Sequence, residues 1–411
     1  MKSLAFAIDK AGEGTLEIVS DWLDKEIEMS WMREYVEKSD CGLTVLQTSG
    51  DAVKTILFCE EQFLKGKNVR PQFPGRNVGM MFGLESSLHP FIGHPSYREI
   101  ADLPLSERVK IMKDPAFKEK LLNEKPNFAS EIEKSMNEQG NTKSQEEIKE
   151  AANLGLKLIS NYDTQFILGD PPNYEPGKED SIAALAKSKG IAELEVIYDE
   201  FLKNEGTNLV YACFTPYDNH KLDFVERAYS LKSSVAGGSD GGAHCGLICD
   251  ASMPTTNLSH WARDREAGKK IPIELIVRKQ TKDTAETYGL FDRGEIKTGM
   301  LADLNIIDFE KLNVTHPKMV YDLPLGGRRL IQTSSGYLAT VKSGEVVYEA
   351  GEATGILPGK LIRGKQTCEV KTEKERVPFI DRTLRLMSVK AFKLLWNFRK
   401  SSVKTTVVSD D

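Results

Sequence analysis

Apolar and polar positions switch between two periods along the first part of the chain. Residues 15–21 (TLEIVSD) make a short β-like run with a polar end, and residues 30–39 follow with Trp31, Tyr35 and Val36 at helical spacing. Residues 43–49 (LTVLQTS) repeat the β-like run. Residues 51–67 read as an amphipathic helix with Val53, Ile56, Leu57, Phe63 and Leu64 on a shared side. Residues 69–75 (VRPQFPG) form a third run. Strand, helix, strand, helix in this order predicts an α/β fold with a parallel sheet and helical crossovers.

The alternation breaks over residues 80–160. Loop signals (SSLHPFIGHPSY) lead into a highly charged region, which reads as a solvated helical insertion, with a lid over a site as the sharper alternative. A Pro-rich loop (169–180) precedes helices at 180–190, with Asp180 as N-cap, and at 194–206. A strand at 208–214, a helix at 222–230 and a short strand entering Gly-rich backbone at 234–242 come next. After a helical stretch at 271–290 the pattern becomes strands with tight turns at 294–308, 329–334, 337–342 and 345–351. Ser343–Gly344 is a two-residue hairpin signal. This predicts a boundary near 290: residues 1–290 in one domain, 291–365 in a small all-β unit and 366–411 as a tail. Residues 384–400 in that tail are basic and amphipathic. Such a helix packs on its own protein more often than on a membrane surface.

At 411 residues the chain has room for two to three domains by the usual ~150 residues each. A net charge of −6 argues against a nucleic-acid partner. No apolar run reaches the ~18 residues of a membrane span, and the first apolar run is too short for a secretory leader. Six Cys without a CxxC pair make neither a disulfide framework nor a zinc ribbon, so the expectation is a cytoplasmic protein with reduced thiols.

Chemistry concentrates in residues 236–250 (AGGSDGGAHCGLICD). Four Gly surround Ser239–Asp240, at the C-terminal end of a β-run, where parallel α/β folds build their sites. An Asp there is a hard oxygen ligand and a general base, or equally a cap for the turn that follows. Gly237–Gly241 also fits GxSxG, which would make Ser239 a nucleophile if a strong strand preceded it and a helix followed directly. The preceding run is weak and GGAHCG is a poor helix start.

These residues resemble a family. VAGGSDGGAH, then residues 249–265 (CDASMPTTNLSHWARDR), then residues 281–312 with a GLxxRGxIxxGxxADLxxxD pattern, are similar to amidohydrolases of the N-acyl-D-amino-acid deacylase group. The similarity extends back through residues 79–109 and through GDPPNYEP at 169–176. It implies a metal-dependent TIM barrel, here partial and carrying the insertion, followed by a small β-sandwich portion. It also implies hydrolysis of a carbon–nitrogen bond in an N-acyl amino acid by metal-activated water. The metal would be zinc, with Asp240 and His244, at the site mouth, as the expected ligands and Asp240 also as general base. A substrate carboxylate would need an Arg, for which Arg76 and Arg263 are the expected partners.

The chain departs from that pattern. It has no His-x-His, and its six His are His89, His94, His220, His244, His260 and His316. The middle strands offer Asp21, Gln47 and Gln72 instead. One carboxylate cannot hold catalytic zinc, which generally takes three protein ligands. The sequence therefore fits a mononuclear site completed by residues upstream, or a homologue without catalysis. The open edges of an incomplete barrel would favour pairing with a second copy of the chain.

Overall fold

The computed structural model describes residues 2–20, 24–47, 53–128, 144–239, 241–242 and 244–367. They fall into two compact units. One holds Met1–Gln280 with Leu312–Ser335; the other holds Thr281–Lys311 with the chain from Gly336 onward.

In the first unit, β1 (Thr15–Ile18), β2 (Gly42–Leu46) and β3 (Val69–Pro74) lie parallel in sequence order, as the alternation predicts. Helix Lys25–Lys38 makes the first crossover. Asp24 caps it by accepting from the Ile27 amide at 3.0 Å, and Met29, Met32, Tyr35 and Val36 face the sheet. Helix Val53–Leu64 makes the second, but not on the expected face. Thr55, Phe58 and Cys59 are its buried residues, while Val53, Leu57 and Leu64 are exposed. Every residue of β3 is buried, the mark of a strand covered on both faces.

The chain then leaves the sheet. β4 (Val78–Phe82), β5 (Gln165–Ile167) and β6 (Val210–Thr215) form an antiparallel sheet in the order β4-β6-β5. The excursion is therefore not the purely helical insertion that its charge suggests. Its core gathers Phe82, Phe91, Tyr97, Tyr198 and Phe201 under helices such as Leu105–Met112 and Glu193–Phe201. β7 (Val235–Gly237) returns to pair in parallel with β3, Gln72 opposite Val235, so the sheet order is β1-β2-β3-β7. These four strands form one parallel sheet.

Other boundaries shift for local reasons. Ser181, not Asp180, caps helix Ile182–Lys189 by accepting from the Ala184 amide at 3.2 Å. Asp180 instead accepts from the Gly177 amide at 3.2 Å. The helical stretch after 271 splits into Ile273–Gln280 and Lys282–Thr287 at Thr281, the division between the units.

Within 294–308 only β8 (Leu304–Ile307) is a strand, because Gly294 (φ +92°) and Gly299 (φ +94°) hold turns before it. β9 (Asn313–Val314), β10 (Lys318–Leu323), β11 (Gly327–Ile331) and β12 (Ser334–Ser335) belong to the first unit, so residues 291–365 are not one piece. In the second unit β13 (Tyr337–Lys342), β14 (Glu345–Glu349) and β15 (Glu352–Ala353) join β8 in an antiparallel sheet ordered β15-β14-β13-β8. Ser343 (φ +55°) and Gly344 (φ +88°) make its two-residue hairpin turn. This is one sheet; no second layer appears among that unit's described strands. The basic stretch at 384–400 lies outside the described residues.

His89 sits inside the core of the excursion, edge-on to Tyr97 at 4.8 Å and accepting at Nδ1 from the Phe91 amide at 3.3 Å. Burial, with the charges of Arg108, Arg328 and His94, pushes its imidazole down to about 3. An unfolded His titrates near ~6.5, so the unfolded chain binds the proton more tightly. The stability from neutral His89 is complete above that pH and drains away as pH falls toward 3. The stability difference between wild type and His89→Gln, from urea unfolding, should shrink by about 2 kcal/mol between pH 7.5 and pH 5. A difference that does not change with pH contradicts this placement.

Candidate functional site

The C-terminal ends of β1, β2, β3 and β7 lie on one edge of the parallel sheet, where such folds place their chemistry. Ser20, beyond β1, donates to Glu28. Gln47, beyond β2, is buried; its amide N–H donates to Gln72 O at 2.8 Å. Gln72 reaches Thr44 Oγ1 at 2.9 Å through Nε2. Gly237 packs closely here: a Cβ would lie 2.4 Å from Gln72 Oε1 and would push that side chain aside.

Asp240 and Asp21 lie outside the described residues. The residues around Asp240 are described. Gly238 (φ +72°) and Gly242 (φ +108°) take conformations that favour glycine. His244 (φ +46°) is exposed, and its carbonyl accepts from Leu247 and Ile248 at 2.7 and 2.9 Å, so it opens a turn. The loop is then tied down by backbone bonds: Met81 N to Leu247 O at 2.7 Å, Ser87 N to Gly246 O at 3.1 Å and Leu330 N to Cys245 O at 2.7 Å. Among the described residues no helix follows Ser239 until Met253–Thr256, so they do not form the strand–turn–helix of a serine nucleophile elbow. Among the described residues no three His, Cys, Asp or Glu side chains converge as a metal-binding group.

Arg76, two residues past β3, is fully buried. Its guanidinium donates to Asp250 Oδ1 at 3.1 Å, Cys249 O at 2.9 Å and Thr256 Oγ1 at 3.0 Å. It also stacks on Tyr174, 3.6 Å from the ring centre. Burial alone would lower its affinity for the proton, but Tyr174, Asp250 and Tyr211 raise it further, so the group stays charged. The carboxylate expected from a substrate is supplied by the chain's own Asp250. Arg263 is likewise engaged, with Asp264 at 2.6 Å and Leu312 O at 2.7 Å. Neither Arg presents a free guanidinium to a ligand.

A second charged cluster was not legible as a site. Glu175 accepts from His260 Nε2 at 2.7 Å and from Arg265 Nε at 3.0 Å; Arg265 also pairs with Glu226 at 2.6 Å and lies over Trp261 at 4.2 Å. Burial pushes the Glu175 carboxyl up, but the His260 and Arg265 partners outweigh it and hold it below the ordinary carboxylate value. The Pro-flanked acid in GDPPNYEP was the available signal. His94 is buried, His220 reaches Asp163 O at 2.8 Å, and His316 donates from Nδ1 to Pro317 O at 2.7 Å. None of these approaches the strand ends as a ligand set.

Residues 173–348 match the Amidohydrolase family. The match covers less than half of the chain. It contains Tyr174, Glu175, Asp250, His260 and Arg265, and it runs through β7 and the loop that carries Asp240. No curated protein matches the chain.

Two solved D-aminoacylase structures are similar to this chain. One, from work on the functional role of the binuclear metal centre in D-aminoacylase, has 15% identity and a TM-score of 0.41 over 85% of this chain and 56% of its own. The other, described as defining a novel subset of amidohydrolases, has 15% identity and a TM-score of 0.38 over 83% of this chain and 54% of its own. The chain spans a little over half the length of these proteins. Among the described residues no helix is long and apolar enough to cross a membrane.

Gly75 couples the end of β3 to Asn257 and Trp261. Its carbonyl accepts from Trp261 Nε1 at 2.5 Å, and a Cβ added to it would fall 1.8–2.3 Å from the amide group of buried Asn257. Gly75→Ala should therefore destabilise the protein by about 1–3 kcal/mol in urea unfolding, as overpacking does. Adding Asn257→Ala should recover most of that loss, because it deletes the clashing group. Equal losses with and without Asn257 contradict this contact.

Proposed function

We propose that the chain is a hydrolase of carbon–nitrogen bonds other than peptide bonds, acting on N-acyl amino acids in the manner of an N-acyl-D-amino-acid deacylase. The supporting observation is the amidohydrolase match at 173–348, whose GSDGGAH loop follows β7 at the functional edge of a parallel sheet. We propose with it that this sheet is part of a TIM barrel and that the β13-bearing sheet is part of a sandwich. Asp240 is the third residue after β7. As general base it removes a proton from water while the oxygen attacks the acyl carbon. It then delivers that proton to the nitrogen as the C–N bond breaks, leaving a carboxylic acid and a free amine.

The zinc implied by the resemblance does not fit the described residues. Ser20, Gln47, Gln72, Arg76 and Ser239 are polar side chains at or just past the described strand ends, and none is a usual zinc ligand. No step is therefore assigned to a metal. That same observation favours a second reading, in which the chain binds an N-acyl amino acid without hydrolysing it.

Release of free amine from N-acyl amino acids of both hands separates the readings. The hydrolase reading predicts turnover that falls by about 10²–10⁴-fold in Asp240→Asn, the usual contribution of a general base, and persists in Ser239→Ala. Saturable binding of the same compounds without turnover supports the binding reading. Turnover lost in Ser239→Ala and retained in Asp240→Asn overturns both.

A further inference from the structure

The second unit keeps little of its apolar surface from water. Among the described residues, Ala339 is the one buried side chain of its four strands. The opening is widest along residues 354–365 (TGILPGKLIRGK), where Ile356, Leu357, Leu361 and Ile362 are all exposed, Leu357 by 93% and Leu361 by 77%. The stretch is fastened at both ends. Thr354 donates from its N–H to Val347 O at 3.0 Å and from its hydroxyl to Val346 O at 2.8 Å. Gln366 donates to Gly289 O at 2.9 Å and accepts from the Phe291 amide at 3.0 Å. A tethered strap that holds four large aliphatic side chains in water marks an interaction surface.

The chain itself supplies an occupant. It leaves this strap at Thr367, where the described residues end, and the basic amphipathic stretch at 384–400 begins 17 residues later. A connection of that length reaches up to about 55 Å when extended, which exceeds the width of a unit this size. Helical spacing puts Leu384, Met387, Ala391, Leu394, Leu395 and Phe398 on one stripe. Arg385, Lys390, Lys393, Arg399 and Lys400 lie off it, and the stretch has no acidic residue. The strand pair from which the strap departs is acidic: Glu345, Glu349 and Glu352, with Glu349 directly opposite Glu352. Lys360, Arg363 and Lys365 occupy the strap's other end, which directs the cations of the stretch toward β14 and β15.

We propose that residues 384–400 dock as a helix on the 354–365 strap of their own chain. The Leu384–Phe398 stripe covers Ile356, Leu357, Leu361 and Ile362, and the cations face the β14 and β15 carboxylates. Attachment favours this occupant over a separate one, because a tethered segment meets the strap at an effective concentration on the order of millimolar. The proposal does not depend on the hydrolase reading, because neither segment belongs to the Asp240 loop or to the parallel-strand ends.

Limited trypsin digestion of the full chain, followed by mass spectrometry, tests it. Docking should slow cleavage after Lys390, Lys393 and Arg399. The double change Leu394→Ser and Leu395→Ser should speed cleavage there by at least about tenfold, since burial of even one leucine is worth that factor. Leu357→Ser with Leu361→Ser, at exposed strap positions, should accelerate the same sites to the same extent. A photo-crosslinking residue at position 361 of the otherwise unchanged chain should capture a peptide from 384–400 of the same molecule. Wild-type cleavage as fast as in the tail variant overturns the proposal, as does unchanged cleavage in the strap variant. Cross-links that join two copies, or protection that appears only when phosphatidylglycerol vesicles are added, also overturn it.

Discussion

A single buried cation ties together the segments beside the C-terminal edge of the parallel sheet. Arg76 leaves β3 with its guanidinium removed from water, where an unpaired charge would be strongly destabilising. Three acceptors from residues 249–256 bond its two terminal nitrogens and the face of Tyr174 covers it, while Nε finds no acceptor among the described residues. Because those groups sit in distant parts of the sequence, the charge can be satisfied only when they assemble. Gly75, its neighbour, adds steric contact to the same junction: it accepts from Trp261 and leaves no room for a side chain against Asn257.

A second network fixes the same segment from the other side. Glu175 joins Arg265 and His260, and Arg265 carries the connection on to Glu226. Both networks draw on residues 169–176 and 249–265. Within the loop between β7 and Cys249, backbone bonds from Met81, Ser87 and Leu330 hold residues 245–247. The frame of the Asp240 loop is thus built largely from charge pairs and main-chain bonds, with its glycines supplying the close approaches.

The parallel strands were legible because each is short, apolar and followed by helical spacing; β1, β2 and β3 begin within a residue of their expected positions. β5 was not, since three residues carry too little periodicity to read. Leu57 and Val53 show the limit of periodicity on a helix with two apolar stripes, where tertiary packing selected the one at Thr55, Phe58 and Cys59. The position of the Asp240 motif was legible, because a Gly-rich strand tip is a local property. The roles of Arg76 and Arg263 were not. A sequence names a guanidinium but not the carboxylate it meets, and Asp250 lies 174 residues from Arg76. Glu175 and Arg265, 90 residues apart, were invisible for the same reason.

The central claim is that Arg76 is a structural cation held by Asp250 and not a receptor for a substrate anion. A double-mutant cycle in urea, with Arg76→Met, Asp250→Leu and the two combined, measures it most directly. The account predicts that each single change costs about 3–5 kcal/mol, by stranding the partner charge, and that the double variant regains much of the loss. Single losses below about 1 kcal/mol that simply add in the double variant would contradict it.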